Sequence, residues 1–391
     1  MITNQSNIPK PEKQIRRFHS HRHHNMVEFD GIGHLPRDLV IEILTRLPSK
    51  DLCRLRCVSQ SWRSLLTRDA DFMSRHVELS KQKPLLLVRR YISDGTGELN
   101  NSKITVELTS MDLRGEVTDK FTRVIDGAVH AFVTCGPLSI LCCMFSMYVC
   151  NPSIQQVARV PFRSNTRLYN VGFGYLPATK EYKIVHMFCR SLVGNGKMGC
   201  EIFSFGTQTG VGSGSWRTIG DCPFSAWTDE YPVCVNGIIY WALSSGWKDK
   251  SILSLDLERE EFSSISYPTH ESKKYSFLEY IGLMGSLCVV GFSAEASTMD
   301  IWMLKGNKKK KNNENWSVEY SINLYPLCPK FLIPSDDQAD EILVHMEQKD
   351  LICYSLKNRT SEKIEYYRAM KTYNKPCLYY DSLIPMLTNG V

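Results

Sequence analysis

No stretch of this sequence is long and apolar enough to cross a membrane as a helix, which takes roughly 18 uninterrupted apolar residues. The nearest candidate, Pro137–Cys150, is 14 residues long, contains two serines and reads as buried strand. Nor does an apolar stretch follow the basic residues of the polar N-terminus, so no secretory signal is expected, and Glu12 and Glu28 count against a transit peptide. The expected location is cytoplasmic or nuclear. In that reducing setting the 14 cysteines act as small buried hydrophobes. None forms a CxxC pair: Cys142 and Cys143 are adjacent, and Cys53 and Cys57 lie one helical turn apart. No metal and no cofactor is expected from that spacing.

Motifs that carry chemistry are missing too. There is no GxSxG elbow, no HExxH and no Walker A loop. Gly210, Gly212 and Gly214 precede no helical pattern that could present an anion site, so they read as a hairpin turn. The strand tips offer no convergent His, Tyr and Cys ligands and no paired carboxylates, which leaves no ground for an enzyme. Nucleic acid is not an expected partner either. The net charge is +6, but residues 1–34 contribute +2, residues 35–75 contribute +3 and Lys305–Glu314 contribute +4, so the rest of the chain carries about −3 and has no general basic face.

What is present begins after a polar tail. Residues 1–30 hold Pro9, Pro11 and the histidine-rich stretch Arg16–His24, lack any periodicity that could bury a core, and are expected to be disordered. His19, His21, His23 and His24 fit a solvated tail, since no ordered acid or thiol accompanies them. From Leu35 the spacing turns helical. Leu39, Ile43 and Leu47 recur every fourth residue beside Val40 and Leu44, and Pro36 sits where a first-turn proline is tolerated. After the break at Leu47 and Pro48, Ser49 offers an N-cap for a second helix carrying Leu52, Leu55 and Val58. Ser59 offers one for a third, carrying Trp62, Leu65 and Leu66. Three short helices cannot hide that many large side chains unaided, so part of this face must pack on another protein.

Beyond Lys83 and Pro84 strand signals take over. A hairpin recurs: Ile202–Phe205 with Trp216–Ile219, Ile252–Leu255 with Glu261–Ile265, Ile301–Leu304 with Trp316–Val318, and Ile352–Leu356 with Lys363–Glu365, with an earlier copy over Met147–Val160. The anchors Phe205, Leu255, Leu304 and Leu356 are spaced by 50, 49 and 52 residues. That is close to the roughly 50-residue kelch-like propeller period. Intervening strands such as Tyr182–Met187, Gly237–Trp241 and Ser286–Gly291 bring each unit to about four, which predicts roughly six blades. The repeat lacks a double-glycine signature, so a twisted β-sandwich stays open. Trp227 and Trp247 fall in loop-like segments and are the candidate target contacts. The lysine run Lys308–Lys311 reads as a solvated hairpin loop.

The segment LPRDLVIEILTRLPSKDLCRLRCVSQSWRSLL resembles the F-box of plant F-box proteins, through Leu35 and Pro36, the Leu47 and Pro48 break, and Cys57, Val58, Ser59 and Trp62 in family order. The segments YVCNPSIQQVARVP, VGFGYLPATKEYKIV, VCVNGIIYWA, SILSLDLEREEF and YDSLIPM resemble the F-box-associated interaction domain of many such proteins. Cys150 stands where that family usually has a tryptophan, and Leu176 where it usually has an acidic residue. The resemblance implies an F-box over 31–78 and an all-β interaction domain over 84–386. It also implies a Skp-type adaptor as partner, with cullin and RING subunits behind it, and a target protein whose identity the sequence does not give. Leu35, Pro36, Leu39, Ile43, Leu44, Leu47, Pro48, Leu52, Leu55, Val58 and Trp62 would form the adaptor-facing or plug-core set. The implied role is substrate receptor of an SCF-type ubiquitin ligase; the alternative is an adaptor-bound scaffold that does not drive degradation.

Overall fold

A computed structural model describes residues 35–92, 103–161, 170–189, 198–222, 232–243, 251–268, 275–305, 315–324, 329–334, 341–346, 351–364 and 376–386. The histidine-rich tail, the lysine run and the tryptophans Trp227 and Trp247 lie outside these residues. Four helices come first: α1 (Arg37–Leu44), α2 (Ser49–Leu55), α3 (Gln60–Arg68) and α4 (Ala70–Lys81). Ser59 caps α3 as expected, its hydroxyl accepting from the Trp62 amide at 3.2 Å. Ser49 does not cap α2. Pro48 occupies the N-cap and offers no side-chain acceptor, while Ser49 is the first helical residue. The fourth helix is additional to the three read from the sequence. Asp69 caps it through the Phe72 amide at 2.9 Å, and Phe72, Met73 and His76 are the residues it buries. One of those three, His76, is polar, and only Phe72 and Met73, adjacent in sequence, mark the stripe in a hydrophobic pattern.

Residues 85–379 build six four-stranded antiparallel sheets. Five are sequential and are numbered blades 2 to 6, over 129–159, 170–222, 233–266, 277–323 and 329–364, the remaining sheet being blade 1. The other takes Leu85–Ile92, Ile104–Met111 and Val117–Ile125 from the start of the domain and Cys377–Tyr379 from its end, paired as Leu85 with Tyr379 and Leu87 with Cys377. The first strand of each sheet touches the first strand of the next: Val129–Cys135, Asn170–Leu176, Val233–Val235, Phe277–Leu283, Pro329–Pro334 and Cys377–Tyr379 close a ring. This is a six-bladed β-propeller, clasped by its C-terminal strand, and the sandwich is excluded. Closure removes the exposed inner edges that an open sheet would leave.

The recurring hairpins are the third and fourth strands of blades 2 to 6. Phe203 faces Trp216, Leu255 faces Phe262, Leu304 faces Trp316 and Ile352 faces Lys363. Their apolar residues fill the spaces between blades. Where blades 3 and 4 meet, Gly172 and Gly174 alternate on the first strand of blade 3. A Cβ on Gly172 would lie 2.6 Å from the Trp241 ring, and one on Gly174 2.4 Å from a Leu257 methyl. The glycines of VGFGY thus let a fully buried tryptophan sit against backbone. Leu176 packs in this same cluster, and Cys150 is fully buried among the residues between blades 1 and 2, so both departures from the family pattern are apolar core positions.

Candidate functional site

Helix α1 divides its apolar residues between two faces. Val40 and Leu44 point inward and meet Leu52, Trp62, Leu65, Leu66, Phe72 and Met73 in one buried cluster. Leu35, Leu39 and Ile43, each four residues from the next, form an outward stripe that is 46%, 50% and 52% exposed, and Val58 is 60% exposed. Of the residues expected to share adaptor-facing and core roles, Leu44, Leu52 and Trp62 therefore belong to the core. Leu35, Pro36, Leu39, Ile43, Pro48 and Val58 are on the surface, and Leu47 and Leu55 are half-buried. The stripe is held in place by ion pairs on its flank, where Glu42 receives Arg46 and Arg75 while Arg37 lies 3.5 Å from Asp69. The plug is otherwise well packed, and this aliphatic stripe stays in water.

The plug sits on one end of the propeller. Lys50 pairs with Asp119 at 2.7 Å, and α2 rests on the 3-10 turn Pro152–Ile154 of blade 2. Burial alone would raise the Asp119 carboxyl, but hydrogen bonds from Lys50 and Gln155 outweigh it and hold the group below the usual carboxylate range. The Ser49 amide, which Pro48 leaves without a cap, donates to Asp381 Oδ2 at 2.6 Å. Leu383 enters the plug core. The spacing of α1 marked it as amphipathic but did not separate its two faces, and nothing in YDSLIPM revealed that this terminal segment meets the F-box.

Beside this contact, a cavity of about 510 Å³ separates α4 from blades 2 to 4, lined among others by Met73, Val77, Tyr175, Tyr182, Cys234 and Tyr380. Thr207, Gln208 and Gly237 also border it, which places those turns at the plug end. The strands leaving them therefore reach Cys222 and Leu243 on the opposite end. Among the described residues no cluster of three His, Cys, Asp or Glu side chains could hold a metal ion. No disulfide joins the described cysteines, and burial pushes the Cys150 thiol up to about 12, which keeps it protonated and inert.

Two family models match the chain: an F-box domain over residues 32–72 and an F-box associated beta propeller domain over residues 98–377. Curated relatives from Arabidopsis thaliana include the putative F-box protein At5g62660, 31% identical over 77% of this chain and 80% of its own length. F-box protein At3g07870 is 29% identical over 75% and 74%. Among solved structures, the β-propeller domain of a Myceliophteria thermophila Cps50 aligns at a TM-score of 0.37 with 9% identity, over 71% of this chain and 88% of that one. The chain belongs to the F-box proteins that carry an F-box-associated β-propeller domain.

Proposed function

We propose that this protein is the substrate-recognition subunit of an SCF-type ubiquitin ligase. Leu35, Leu39 and Ile43 dock on a Skp-type adaptor, which brings cullin and RING subunits, while the propeller holds a target protein on the end away from the F-box. The chain contributes proximity and orientation and performs no bond chemistry itself. The observation that carries this reading is the outward stripe of α1, whose aliphatic side chains the plug's own core does not use. Each of the three is already about half buried, so covering the rest contributes roughly 0.7–1.5 kcal/mol each before the costs of association.

Co-purification with the adaptor tests it. Replacing Leu39 and Ile43 together by aspartate should abolish adaptor binding while the far-UV and near-UV signals of the propeller stay unchanged. An adaptor complex that survives the double substitution defeats the proposal.

A further inference from the structure

The last described residues run between the two domains without regular secondary structure, and their contacts alternate between the two. The odd-numbered pair serves the plug. Asp381 accepts from the Ser49 amide at 2.6 Å, supplying from across the chain the α2 cap that Pro48 lacks, and Leu383, 1% exposed, completes the plug core. The even-numbered residues serve the propeller. Ser382 N donates to Ser153 Oγ at 3.2 Å, and Asn151 Nδ2 donates to the Ser382 and Ile384 carbonyls at 3.2 and 2.9 Å. Ile384 and Met386 are buried in the core of blades 2 and 3. Met386 is tied further by its amide to Gln156 Oε1 at 3.0 Å and by its carbonyl to the Val211 amide at 3.1 Å.

We infer that this strap, through Asp381 and Leu383 as positioning residues, fixes the orientation of the F-box on the propeller. The covalent link between α4 and the first strand is only Gln82–Pro84, a single pivot that by itself permits rotation. The Lys50–Asp119 pair is half in solvent on its lysine side and holds weakly. Beside the contact of α2 with the turn Pro152–Ile154, the strap adds an anchor through a buried leucine and a helix cap, and its propeller side is held by six hydrogen bonds to Asn151, Ser153, Gln156 and Val211 and by two buried side chains. Two anchors define an orientation where one does not. The functional consequence, that the strap sets the geometry between adaptor and target, rests on the receptor role; the orientation itself does not.

Single-molecule energy transfer on the full chain tests this, with bio-orthogonal dyes at Arg68 on α3 and Glu258 on blade 4, both exposed. The unsubstituted protein should give one narrow population. Asp381→Ala with Leu383→Ala should broaden or split it while the thermal transition of the propeller is retained. Asp381→Asn, which keeps an acceptor oxygen for the Ser49 amide, should stay close to the unsubstituted distribution. A single narrow population in the folded double variant overturns the inference. If the double variant does not fold, Asp381→Ala alone decides: it removes only a partly exposed acceptor, and a broadened distribution supports the strap whereas an unchanged one refutes it. Adaptor binding is read on the same samples. Its absence in the unsubstituted protein would end the receptor role and leave the distance result standing.

Discussion

The F-box and the propeller solve the same problem of burying apolar surface in opposite ways. The propeller closes on itself: its inner strands form a ring, its C-terminal strand clasps the first blade, and its hydrophobic residues fill the gaps between sheets. The plug cannot close. It places Val40 and Leu44 inside, borrows Leu383 from the far end of the chain, and still leaves Leu39 and Ile43 half in water. The propeller buries its apolar surface by itself, whereas the plug relies on the chain's last described residues and still leaves an aliphatic stripe uncovered.

The sharpest way to break that comparison lies within α1. Leu44→Ala should cost about 2–4 kcal/mol of plug stability, because a buried leucine leaves a cavity. Leu39→Ala should cost no more than about 0.5 kcal/mol, since half of its side chain is already solvated. Adaptor affinity should reverse the order, falling about three- to tenfold for Leu39→Ala if one contact of roughly 0.7–1.5 kcal/mol is lost. Urea denaturation paired with titration calorimetry separates the two effects. Equal stability losses for both variants would mean that α1 has only one face.

The propeller's self-sufficiency is tested at the seam between blades 3 and 4. Lys183, buried, donates to Glu260 at 2.8 Å and to the Leu257 carbonyl at 2.6 Å, and Arg217 adds a second ion pair to the same carboxylate. Burial would raise the Glu260 carboxyl, but the bonds from Arg217 and Lys183 outweigh it and keep the group charged. Glu260→Gln leaves the ammonium with only neutral oxygens, the amide's and that of Leu257, in a poorly solvated place and should destabilise the propeller by about 2–3 kcal/mol, short of the full cost of orphaning a buried charge. At the same seam Gly172→Ala should cost about 1–3 kcal/mol, because the Trp241 ring it meets cannot swing away as a methyl can. A melting temperature unchanged in both variants would mean that the blades pack loosely there.

How much of this was legible in the residues differs between the two regions for a physical reason. The propeller was readable because its contacts are local: anchors such as Phe205 and Leu255 repeat at a fixed spacing, and each hairpin pairs neighbours in sequence. The helical period marked α1 as amphipathic without dividing its leucines between core and surface; packing decides that division, and the cluster that holds Leu44 includes a residue more than 300 positions away. The same distance hid the cap of α2. Ser49 looks like an N-cap in isolation, and only the arrival of Asp381 explains why a helix behind Pro48 can do without one. Helix α4 escaped notice because its buried side includes His76, a polar residue whose Nε2 lies 3.0 Å from the Leu47 carbonyl.

The weakest expected effect concerns the contact between the two regions and is governed by pH. Asp119 titrates below the usual carboxylate range in the folded protein, so its pairing with Lys50 adds stability that is complete above the unfolded value of about 3.9 and is lost as pH falls through the lower folded value. Acidification below about pH 4 should therefore loosen the plug from the blades. Lys50 is half exposed and the pair is screened by salt, so the contribution is at most about 1 kcal/mol. Asp119→Asn should remove this part of the acid sensitivity and leave the buried Leu383 contact to hold the junction. Tryptic cleavage after Lys81, at the end of α4, followed near neutral pH in both proteins, should differ by less than about fivefold, in line with a bond of that size. A larger difference would make the surface ion pair, rather than the strap, the main tie between a domain that closes on itself and one that cannot.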